Sequence, residues 1–457
     1  MRRTVAEHQQ SVEQLLRQCF SELPASVQND AGTPVRLDRA VGRVLVADLV
    51  APLDLPPFAN SQMDGYAIHT GIEQPISVDN GESTIYGIAP VIAAGAVPAP
   101  LAPGMAAPIM TGAPIPAGAN AVVPIEMADP NRFGAGDTVR LPAAAAGRFV
   151  RAQGSDVQRG SVVITAGTVL NAAHMGLASA LGLTELTVRR PLRALLLTTG
   201  DEVLTPGDPA AAQGLPAGMI YDANQALLRA CLEEARIEVL TATTVRDDPA
   251  ELLALLAAHT RPPANATNTT GATEATDSTG DADSTGDADA GSPPACDLII
   301  SVGGISAGAF EVVKQALGTA ADAAVEFVSV SMQPGGPQAA GTFRGIPFLG
   351  FPGNPVSAFV SFEMFLRPAL TALLGAPVPR QRVVAVLEHA MTSPLGKHQV
   401  RRGIYSGPEF ESAPSVREVG AESSHLLGAL AQANALIQLP AGATELQAGA
   451  KVEVWLL

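Results

Sequence analysis

Three apolar runs of strand length in the second half of the chain each end in a turn that contains glycine. Residues 192–197 precede TTGDE, residues 298–302 precede GGISAG, and residues 346–349 precede FPGNPVSA. Segments with helical periodicity separate these runs. Strands that alternate with helices predict a parallel α/β sheet, whose ligand crevice lies at the carboxyl ends of the strands. The pattern therefore predicts that the three turns meet at one edge of a sheet.

The FPGNPVSA turn is the strongest single indication of a site. Two prolines around a Gly-Asn pair fix a stiff turn, and Ser357 falls in the first turn of the following helix. Backbone N–H groups in that first turn have no partners within the helix and suit an anionic ligand. The turn therefore predicts one wall of an anion-binding crevice.

The pattern along the chain predicts a multidomain α/β plus β protein with a central three-layer α/β domain and a mostly parallel sheet. Thr4 and Glu7 have capping-box spacing ahead of an amphipathic helix. The expected helices are 224–234, 248–258, 310–317 and 355–373, and the expected strands are 237–244, 298–302, 325–331 and 346–350. Short apolar runs broken by glycine and proline from about residue 85 to 145 predict a small all-β domain.

Four domains are expected. Residues 1–60 and 147–190 form a discontinuous N-terminal mixed α+β linker domain, 61–146 a small all-β domain, 191–376 the α/β domain, and 377–457 a C-terminal β domain. The acidic, low-complexity stretch 261–295 carries no apolar face and is predicted to be a disordered insert in the α/β domain.

Charge and cysteine content exclude several classes of protein. The net charge is −16 and only three residues are lysine, which argues against nucleic-acid binding. No uncharged stretch reaches the length of a membrane span and the start has no secretory signal, so no membrane partner and a cytoplasmic location are expected. Three distant cysteines without CxxC spacing predict neither a disulfide framework nor a zinc site.

Acidic or hydroxyl residues stand beside glycine or proline in several loops. Asp64 lies in QMDGYA, where the residues alone favour an ordinary turn former, and Thr111 in MTGAP is equally ambiguous. Asp156 lies in a third such loop, RAQGSD. Asp201 and Glu202 end one strand in TGDE.

Asp247 ends another strand in VRDDP, where Asp248 is explained as a helix N-cap. Carboxylates clustered at one sheet edge repel each other unless a cation or proton intervenes, and Mg²⁺ fits that role beside an anionic ligand. Serine hydrolase and dinucleotide-binding patterns are absent from the sequence.

Seven motifs, MDGYA, MTGAP, TGDE, RDDP, GGISAG, PGGP and FPGNPVSA, occur in the order found in the molybdopterin molybdenumtransferase family. The chain resembles that family from about residue 5 to 457, and it is similar to the C-terminal domain of gephyrin. The resemblance implies a homodimer of elongated four-domain subunits, with each active site between the α/β domain of one subunit and N-terminal loops of the other. It implies the reaction of adenylylated molybdopterin with molybdate to give molybdenum cofactor and AMP, with Mg²⁺, and the upstream adenylyltransferase as a further partner.

The resemblance also assigns residues by motif position. The implied catalytic residues are Asp64, Thr111, Asp156, Glu202, Asp247 and Glu311. The implied substrate-binding residues are Gly303, Gly304, Ser306, Gln333, Pro352, Gly353, Asn354, Pro355, Arg402 and Ser424. The implied Mg²⁺ ligands are Asp201, Glu202 and Asp247.

Two departures from the family pattern concern charge. The family often has KPGKP where this chain has QPGGP, so Gln333 and Gly336 replace two lysines. Arg151 and Arg401 are the candidates to supply the missing positive charge. The family also often has Glu-Ala-Asp-Tyr where this chain has Ala-Phe-Glu-Val, which leaves Glu311 as a longer carboxylate and removes the tyrosine.

Three functions are weighed. The favoured one is a competent transferase, because the carboxylates at 64, 156, 202 and 247 are all retained. The alternative is a non-catalytic paralogue that binds molybdopterin or scaffolds a partner. An adenylyltransferase acting one step earlier shares the α/β core, but the flanking β domains speak against it.

Overall fold

A computed structural model describes residues 2–21, 32–71, 83–134, 136–260, 296–305, 311–408 and 413–457. The chain forms two compact units. We call Met1–Thr33, Gly42–Val44 and Val188–Leu457 the α/β unit, and Pro34–Val41 with Leu45–Thr187 the β-rich unit. The predicted insert 261–295 lies outside the described residues.

A seven-stranded sheet organises the α/β unit. Its strands, numbered in chain order, are β1 (Arg2–Arg3), β2 (Arg193–Thr199), β3 (Glu238–Val245), β4 (Leu298–Val302), β5 (Ala323–Val330), β6 (Pro337–Phe343) and β7 (Ile346–Phe351). The spatial order is β1-β5-β6-β7-β4-β2-β3. All neighbouring strands pair in parallel except at β6, which is antiparallel to both β5 and β7. The predicted mostly parallel sheet is confirmed.

Helices cover both faces of this sheet. They are α1 (Val5–Ser21), α2 (Ala223–Glu234), α3 (Pro249–His259), α4 (Val312–Thr319) and α5 (Pro355–Leu374). Alternate strand residues point to opposite faces, as the pleat requires. Leu196 and Ile300 pack with α1, α2 and α5, whereas Leu195 and Ile299 pack with α3 and α4. Side chains on both faces of these strands are apolar, since helices bury both faces. The predicted three-layer arrangement of helices, sheet and helices is confirmed.

Helix α5 contains a π-helical segment, Phe362–Leu366, between two α-helical ones. Pro368 has no N–H to donate to the carbonyl of Met364, four residues earlier. The Gln9 side chain of α1 donates to that carbonyl at 2.9 Å instead. The irregular turn is thus satisfied by a neighbouring helix, as such bulges generally must be.

Length and composition alone would let α5 cross a membrane, and no other described helix meets that test. It is 20 residues long, and 78% of its apolar window is buried inside the protein. Its apolar surface is therefore accounted for by the core of the α/β unit.

A closed sheet of five strands forms the C-terminal part of the α/β unit. The strands are Arg382–Leu387, His398–Ser406, Ser415–Glu418, Ala435–Leu439 and Lys451–Leu456. Closure follows from the additional pairing between His398–Ser406 and Ala435–Leu439. Met332–Gln333 adds to this barrel in parallel beside His398 and Gln399, which joins it to the loop after β5. Short elements complete it, the pair Met391–Thr392 and Glu445–Leu446 and the helix Leu427–Gln432.

The β-rich unit is built on a five-stranded sheet. Its strands, in spatial order, are Ala121–Pro124, Gly65–Ile68, Met105–Ile109, Ser83–Ile88 and Thr138–Pro142. Two-stranded ladders pair Asn60–Ser61 with Val150–Arg151, Leu49–Val50 with Val162–Ile164, and Thr33–Arg36 with Glu185–Val188. Its helices are Leu37–Ala40, the 3₁₀ turn Ile125–Met127, and Ala172–Ala180.

Helix starts expected from local signals are confirmed. Thr4 and Glu7 form the predicted capping box, with the Thr4 N–H donating to Glu7 at 2.7 Å and the Glu7 N–H to Thr4 Oγ1 at 3.2 Å. Asp248 caps α3 by accepting the Ala250 N–H at 2.8 Å, with Pro249 in the first helical position. Two strands were not predicted from the sequence, β1 at one edge of the sheet and β6 in its interior.

Contacts group residues 1–33 with the α/β unit and not with the linker segments as expected. The reason is packing, because Val12 and Leu16 of α1 are fully buried in the α/β core and Arg2–Arg3 pairs with β5. The division into four domains stays a prediction.

A buried ion network fixes α5. Glu363 is fully buried and lies 3.0 Å from Arg367 and 2.9 Å from Arg380. Both guanidinium groups also contact Glu234 of α2, at 3.1 and 3.0 Å. A buried charge without its partner is strongly destabilising, so each group depends on the others.

We expect Glu363→Gln to lower the free energy of unfolding of the α/β unit by about 3–5 kcal/mol, because it leaves two guanidinium groups short of negative charge in the core. Urea denaturation followed by the fluorescence of Trp455, the single tryptophan, measures this change. Glu13→Gln is the matched control, since Glu13 also pairs with an arginine four residues on, but at the surface. Its effect should stay below about 1 kcal/mol, and equal effects of the two substitutions would contradict the prediction.

Candidate functional site

A cleft of about 930 Å³ lies at the carboxyl edge of the seven-stranded sheet. Strands β2, β3, β4 and β7 run in the same direction, so the turns that follow them reach this edge together. The antiparallel strand β6 begins there, which adds the QPGGP loop to the same lining. The expectation that distant polar turns meet at one edge is confirmed for these strands.

Most of the site residues expected in the α/β unit line this cleft. The acidic ones are Glu202, Asp247 and Glu311. The others are Gly303, Gly304, Gln333, Pro352, Gly353, Asn354, Pro355 and Ser424. Ser306 lies outside the described residues. Asp201 and Arg402 are not part of the lining.

Local geometry fixes the TGDE turn. The Glu202 carbonyl accepts the Ile220 N–H at 2.8 Å, and the short ladder between Val203–Leu204 and Ile220–Tyr221 follows directly. Gly200 has a φ of +142°, and a Cβ there would stand 2.7 Å from the Glu202 carboxylate. Only glycine therefore lets the Glu202 side chain fold back over the turn.

A buried carboxylate ties the ends of β2 and β3 to the start of α2. Asp222 is 4% exposed and accepts hydrogen bonds from the hydroxyls of Thr198, at 2.5 Å, and Thr244, at 3.0 Å. Its other oxygen accepts the Gln225 N–H at 2.9 Å, which caps the helix. Three donors satisfy this charge within the wall of the cleft.

Gly303 and Gly304, at the start of the GGISAG motif, pack closely against their neighbours. Gly303 and Gly304 have φ values of +91° and +64°, and a Cβ on Gly303 would lie 2.8 Å from the Thr199 hydroxyl. The Gly303 N–H donates to the Phe351 carbonyl at 3.0 Å, so the turn is pinned to the end of β7. The two glycines are therefore required by backbone conformation and by space.

The FPGNPVSA turn is held from two sides. The Asn224 side chain of α2 donates to the Gly353 carbonyl at 2.7 Å. The Asn354 side chain does not cap its own helix but donates to the Ser424 hydroxyl of the barrel, at 2.9 Å. These contacts hold the start of α5, with its unpaired first-turn N–H groups, at the cleft.

Burial and neighbouring carboxylates both act on Asp247. Burial, followed by the negative charges of Asp201, Glu202 and Glu311, raises the pKa of Asp247 above its usual value of 3.8. The Asp201 carboxylate accepts the Asp247 N–H at 3.1 Å and lines a neighbouring pocket instead of the main cleft.

A complete metal site made by the protein alone is not present in the described part of the chain. No group of three or more His, Cys, Asp or Glu side chains is arranged to hold an ion there. Mg²⁺ usually takes one or two carboxylates together with substrate phosphates. Glu202 and Asp247 in the cleft therefore fit a magnesium ion whose other ligands come from a substrate. They do not form a metal site in which the protein supplies every ligand.

Arg401 and Arg402 of the barrel are outside the lining of the cleft. Arg402 is 1% exposed, and its guanidinium donates to the carbonyls of Ala421 and Ser423 in the loop that carries Ser424. Arg401 is bound to Glu418 at 2.9 Å and to Glu422 at 3.3 Å. Arg402 thus supports the loop at the cleft and does not reach the lining itself.

The remaining site residues are in the β-rich unit, where three predicted loops meet. Asp64 accepts both the N–H and the hydroxyl of Thr111, at 2.6 and 2.7 Å, and these bonds lower the pKa of Asp64 below its usual 3.8. The strand Val150–Arg151, which leads to Asp156, pairs with Asn60–Ser61 beside the same loops. Asp156 is exposed and its N–H donates to the Leu55 carbonyl at 2.9 Å.

Sequence reasoning missed several residues of the cleft. Asn224 and Asp222 followed no recognised motif, although an Asp at the start of a predicted helix is a cap signal. Lys397 also lines the cleft and was overlooked. As one of only three lysines in a strongly acidic chain, it could have been singled out.

Comparison with known families covers nearly the whole chain. Residues 3–182 match the family described as MoeA N-terminal region (domain I and II), and residues 384–457 match the MoeA C-terminal region (domain IV). Residues 195–288 and 281–372 match a family described as a "Probable molybdopterin binding domain".

Individual proteins agree with these matches. The chain is 39% identical, over 99% of both chains, to a Mycobacterium tuberculosis protein named molybdopterin molybdenumtransferase 2. A Nostoc protein named molybdopterin molybdenumtransferase is 32% identical over 92% of this chain and 87% of its own. The crystal structure of a molybdopterin biosynthesis moeA protein from Pyrococcus horikoshii has the same fold, with a TM-score of 0.72 over both whole chains at 24% identity. The chain belongs to the molybdopterin molybdenumtransferase family.

Proposed function

We propose that the protein is a molybdopterin molybdenumtransferase that inserts molybdenum from molybdate into adenylylated molybdopterin and releases AMP. The observation that carries this proposal is the cleft at the carboxyl edge of the sheet, where Gly303, Gly304 and the QPGGP and FPGNPVSA loops meet Glu202 and Asp247. The retention of these carboxylates favours turnover over a role in binding alone. Curated relatives of full length with the transferase name support the same reaction class.

The cleft residues would divide the work by their chemistry. The backbone N–H groups of Gly304, Gly353 and Asn354 would be donors to the phosphates and the pterin. Asn354 and Ser424 would orient one end of the substrate through their mutual hydrogen bond. Arg402 would act by holding the Ser424 loop in place.

The acidic residues would act on the phosphoanhydride. Glu202 and Asp247 would hold Mg²⁺ together with substrate oxygens, and the ion would supply Lewis-acid polarisation of the phosphate when bound. The raised pKa of Asp247 is consistent with a carboxylate that is short of positive charge in the free protein. Asp201 would orient Asp247 through its backbone N–H, and Glu311 would add a third acidic group to the same wall.

We further propose that the active protein is a homodimer whose sites combine Asp64, Thr111 and Asp156 of one subunit with the cleft of the other. The family resemblance supports this proposal. In addition, Asp64, Thr111 and Asp156 belong to the β-rich unit, whereas the cleft belongs to the α/β unit. Interaction with the upstream adenylyltransferase and a cytoplasmic location stay predictions.

Removing either key carboxylate should stop the reaction. We expect Glu202→Gln and Asp64→Asn each to lower AMP release from adenylylated molybdopterin by at least about 100-fold, because each loses a charge placed at the reacting groups. Glu238→Gln, on β3 at the opposite edge of the sheet, and Asp48→Asn, an exposed acid that also accepts a backbone N–H, are the controls. Wild-type turnover in the first two variants would refute the assignment of the site, and molybdopterin binding by the wild type without AMP release would favour the non-catalytic alternative.

Mixed dimers test the shared site. When Asp64→Asn and Glu202→Gln subunits are unfolded, mixed in equal amounts and refolded together, half of the dimers should be hybrids with one intact site each. About a quarter of wild-type AMP release should then return. Each variant carries a different affinity tag, so that hybrids can be isolated by purification on both tags. No recovery in these hybrids would show that each site lies within one chain.

The two kinds of carboxylate should affect stability with opposite signs. The pKa of Asp247 is raised in the folded protein, so its ionised form costs stability at neutral pH, and this cost disappears as the pH falls through the folded pKa. The pKa of Asp64 is lowered, so its ionised form stabilises above the unfolded value near 3.8, and this contribution is lost as the pH falls through the folded pKa.

At pH 7 and without divalent cations, Asp247→Asn should therefore raise the Tm and Asp64→Asn should lower it. Both differences should shrink when the scans are repeated at acid pH. Scanning calorimetry measures these shifts, and a lower Tm for Asp247→Asn at pH 7 would contradict the repulsion described for the cleft.

A further inference from the structure

A group of arginines lies at the amino edge of the seven-stranded sheet, the edge opposite to the cleft. A pocket of about 50 Å³ is found there beside Leu192 and Ile237, which directly precede β2 and β3. All of its lining residues belong to the α/β unit. The protein has 28 lysines and arginines in total, and four of them line this pocket, namely Arg43, Arg189, Arg190 and Arg236. We call it the arginine pocket.

Carboxylates balance only part of this positive charge. No acidic residue is among the described residues that line the arginine pocket. Arg190 is held by the Asp297 carboxylate in two hydrogen bonds, at 2.7 and 2.8 Å, so its charge is already neutralised. Glu238 attracts Arg43 from outside the lining, but the Glu238 carboxylate also lies 3.7 Å from Arg193. The pocket therefore carries an excess of positive charge.

The other three arginines of the pocket form no salt bridge with any residue that the structure describes. Arg43 donates to the Arg189 carbonyl at 3.1 Å, and Arg189 donates to the Leu374 carbonyl at the end of α5 at 3.2 Å. Each of these bonds uses one nitrogen of a guanidinium group that has five N–H groups in all. These side chains therefore keep both charge and donors for a ligand.

Arg236 occupies a position where glycine is usual. It follows α2 with a φ of +61°, in the left-handed region. Its N–H donates to the Glu233 carbonyl at 3.0 Å, and the Ile237 N–H donates to the Leu232 carbonyl at 2.9 Å. This pair of bonds is the Schellman motif, in which glycine is preferred because a side chain strains the left-handed residue. An arginine is present here in spite of a local cost, which indicates a role for its side chain.

The fold brings the Arg236 and Arg43 side chains together. A Cβ on Gly42 would lie 2.9 Å from the Arg236 Nε, so this guanidinium group lies against the backbone next to Arg43. Arg43 is half-buried, and burial, followed by the charge of Arg236, lowers the pKa of Arg43. Two cations that share a partly buried pocket repel each other, and an anion between them removes this repulsion.

We propose that the arginine pocket binds a tetrahedral oxyanion of the phosphate class, held mainly by Arg43 and Arg236 with Arg189 beside them. Guanidinium groups suit this ligand because they donate two parallel N–H bonds to its oxygens. Buried apolar residues of the lining, such as Leu370, keep water away and strengthen the attraction. The anion is free phosphate or the phosphoryl group of a phosphomonoester, which share this chemistry. The site is separate from the cleft and does not depend on the reaction proposed above.

Phosphate should stabilise the protein by more than its ionic strength explains, because it binds only the folded state. We expect sodium phosphate at ten times its Kd to raise the Tm of the wild type by about 2–4 °C, relative to sodium chloride at the same pH and ionic strength. Scanning calorimetry measures this shift, and titration calorimetry with inorganic phosphate measures the Kd. Equal Tm values in the two salts would overturn the proposal, since they would leave only general screening of charge.

Arg43→Gln and Arg236→Gly each remove one of the two main contacts. In both variants we expect the Kd of the site for phosphate to rise at least about 10-fold and the phosphate-dependent Tm shift to be lost. Glycine adopts the left-handed conformation without strain, so a loss of binding in Arg236→Gly cannot be attributed to misfolding.

Arg229→Gln is the matched control, because Arg229 is an arginine of α2 that pairs with Glu233 and does not line the pocket. Phosphate that binds in the cleft affects all three variants alike and cannot imitate the expected difference. If Arg43→Gln and Arg236→Gly respond to phosphate as Arg229→Gln does, the proposal is overturned.

Glycerol 3-phosphate distinguishes the two sources of the anion. A Tm shift with this compound that requires Arg43 and Arg236 assigns the site to phosphomonoesters. A shift that requires the same arginines but occurs with inorganic phosphate alone assigns it to the free anion. Neither measurement involves turnover, so the arginine pocket and the proposed function can each fail without the other.

Discussion

The parallel pairing of β7, β4, β2 and β3 is the constraint on which the rest of the α/β unit depends. Hydrogen bonds between these strands bring Phe351, Val302, Thr199 and Val245, their last residues, to one edge of the sheet. Chain segments separated by more than a hundred residues therefore begin their turns side by side. The cleft is a geometric consequence of this pairing, and the turn residues determine what the cleft can bind.

The turns that line the cleft pack closely against one another. A Cβ on Gly303 would lie 2.8 Å from the Thr199 hydroxyl, and a Cβ on Gly353 would lie 3.5 Å from the Gly303 Cα. The Gly303 N–H also donates to the Phe351 carbonyl. The Asn224 side chain of α2 donates to the Gly353 carbonyl in the FPGNPVSA turn. The Asn354 side chain of the same turn donates to Ser424 of the barrel. Side chains that brace backbone turns in this way pre-organise donors before a ligand arrives, which lowers the cost of binding.

Electrostatics explains how an acidic protein can bind an anionic substrate. The net charge of −16 gives no general attraction to anions. Under the proposed function, binding would come from local features, which are backbone N–H groups of the turns, acidic residues that would share a cation with the substrate, and Lys397 in the lining of the cleft. The C-terminal barrel contributes to this balance because it brings Lys397 and Ser424 to the edge of a sheet that is otherwise built from earlier segments.

The sequence by itself determined the elements and most of the turns. Mainly apolar runs such as Leu298–Val302 favour strands that are buried on both faces, and capping signals at Thr4 and Asp248 marked helix starts, so these features were predictable. Only the tertiary structure decided which charges face the cleft.

The resemblance assigned Arg402 to substrate binding, and Arg401 was a candidate to supply the missing positive charge, yet both side chains bind protein partners. Lys397, in no motif, lines the cleft because barrel closure and the Met332–Gln333 ladder bring it there. Side-chain direction depends on contacts between residues far apart in the chain, and local spacing does not encode those contacts.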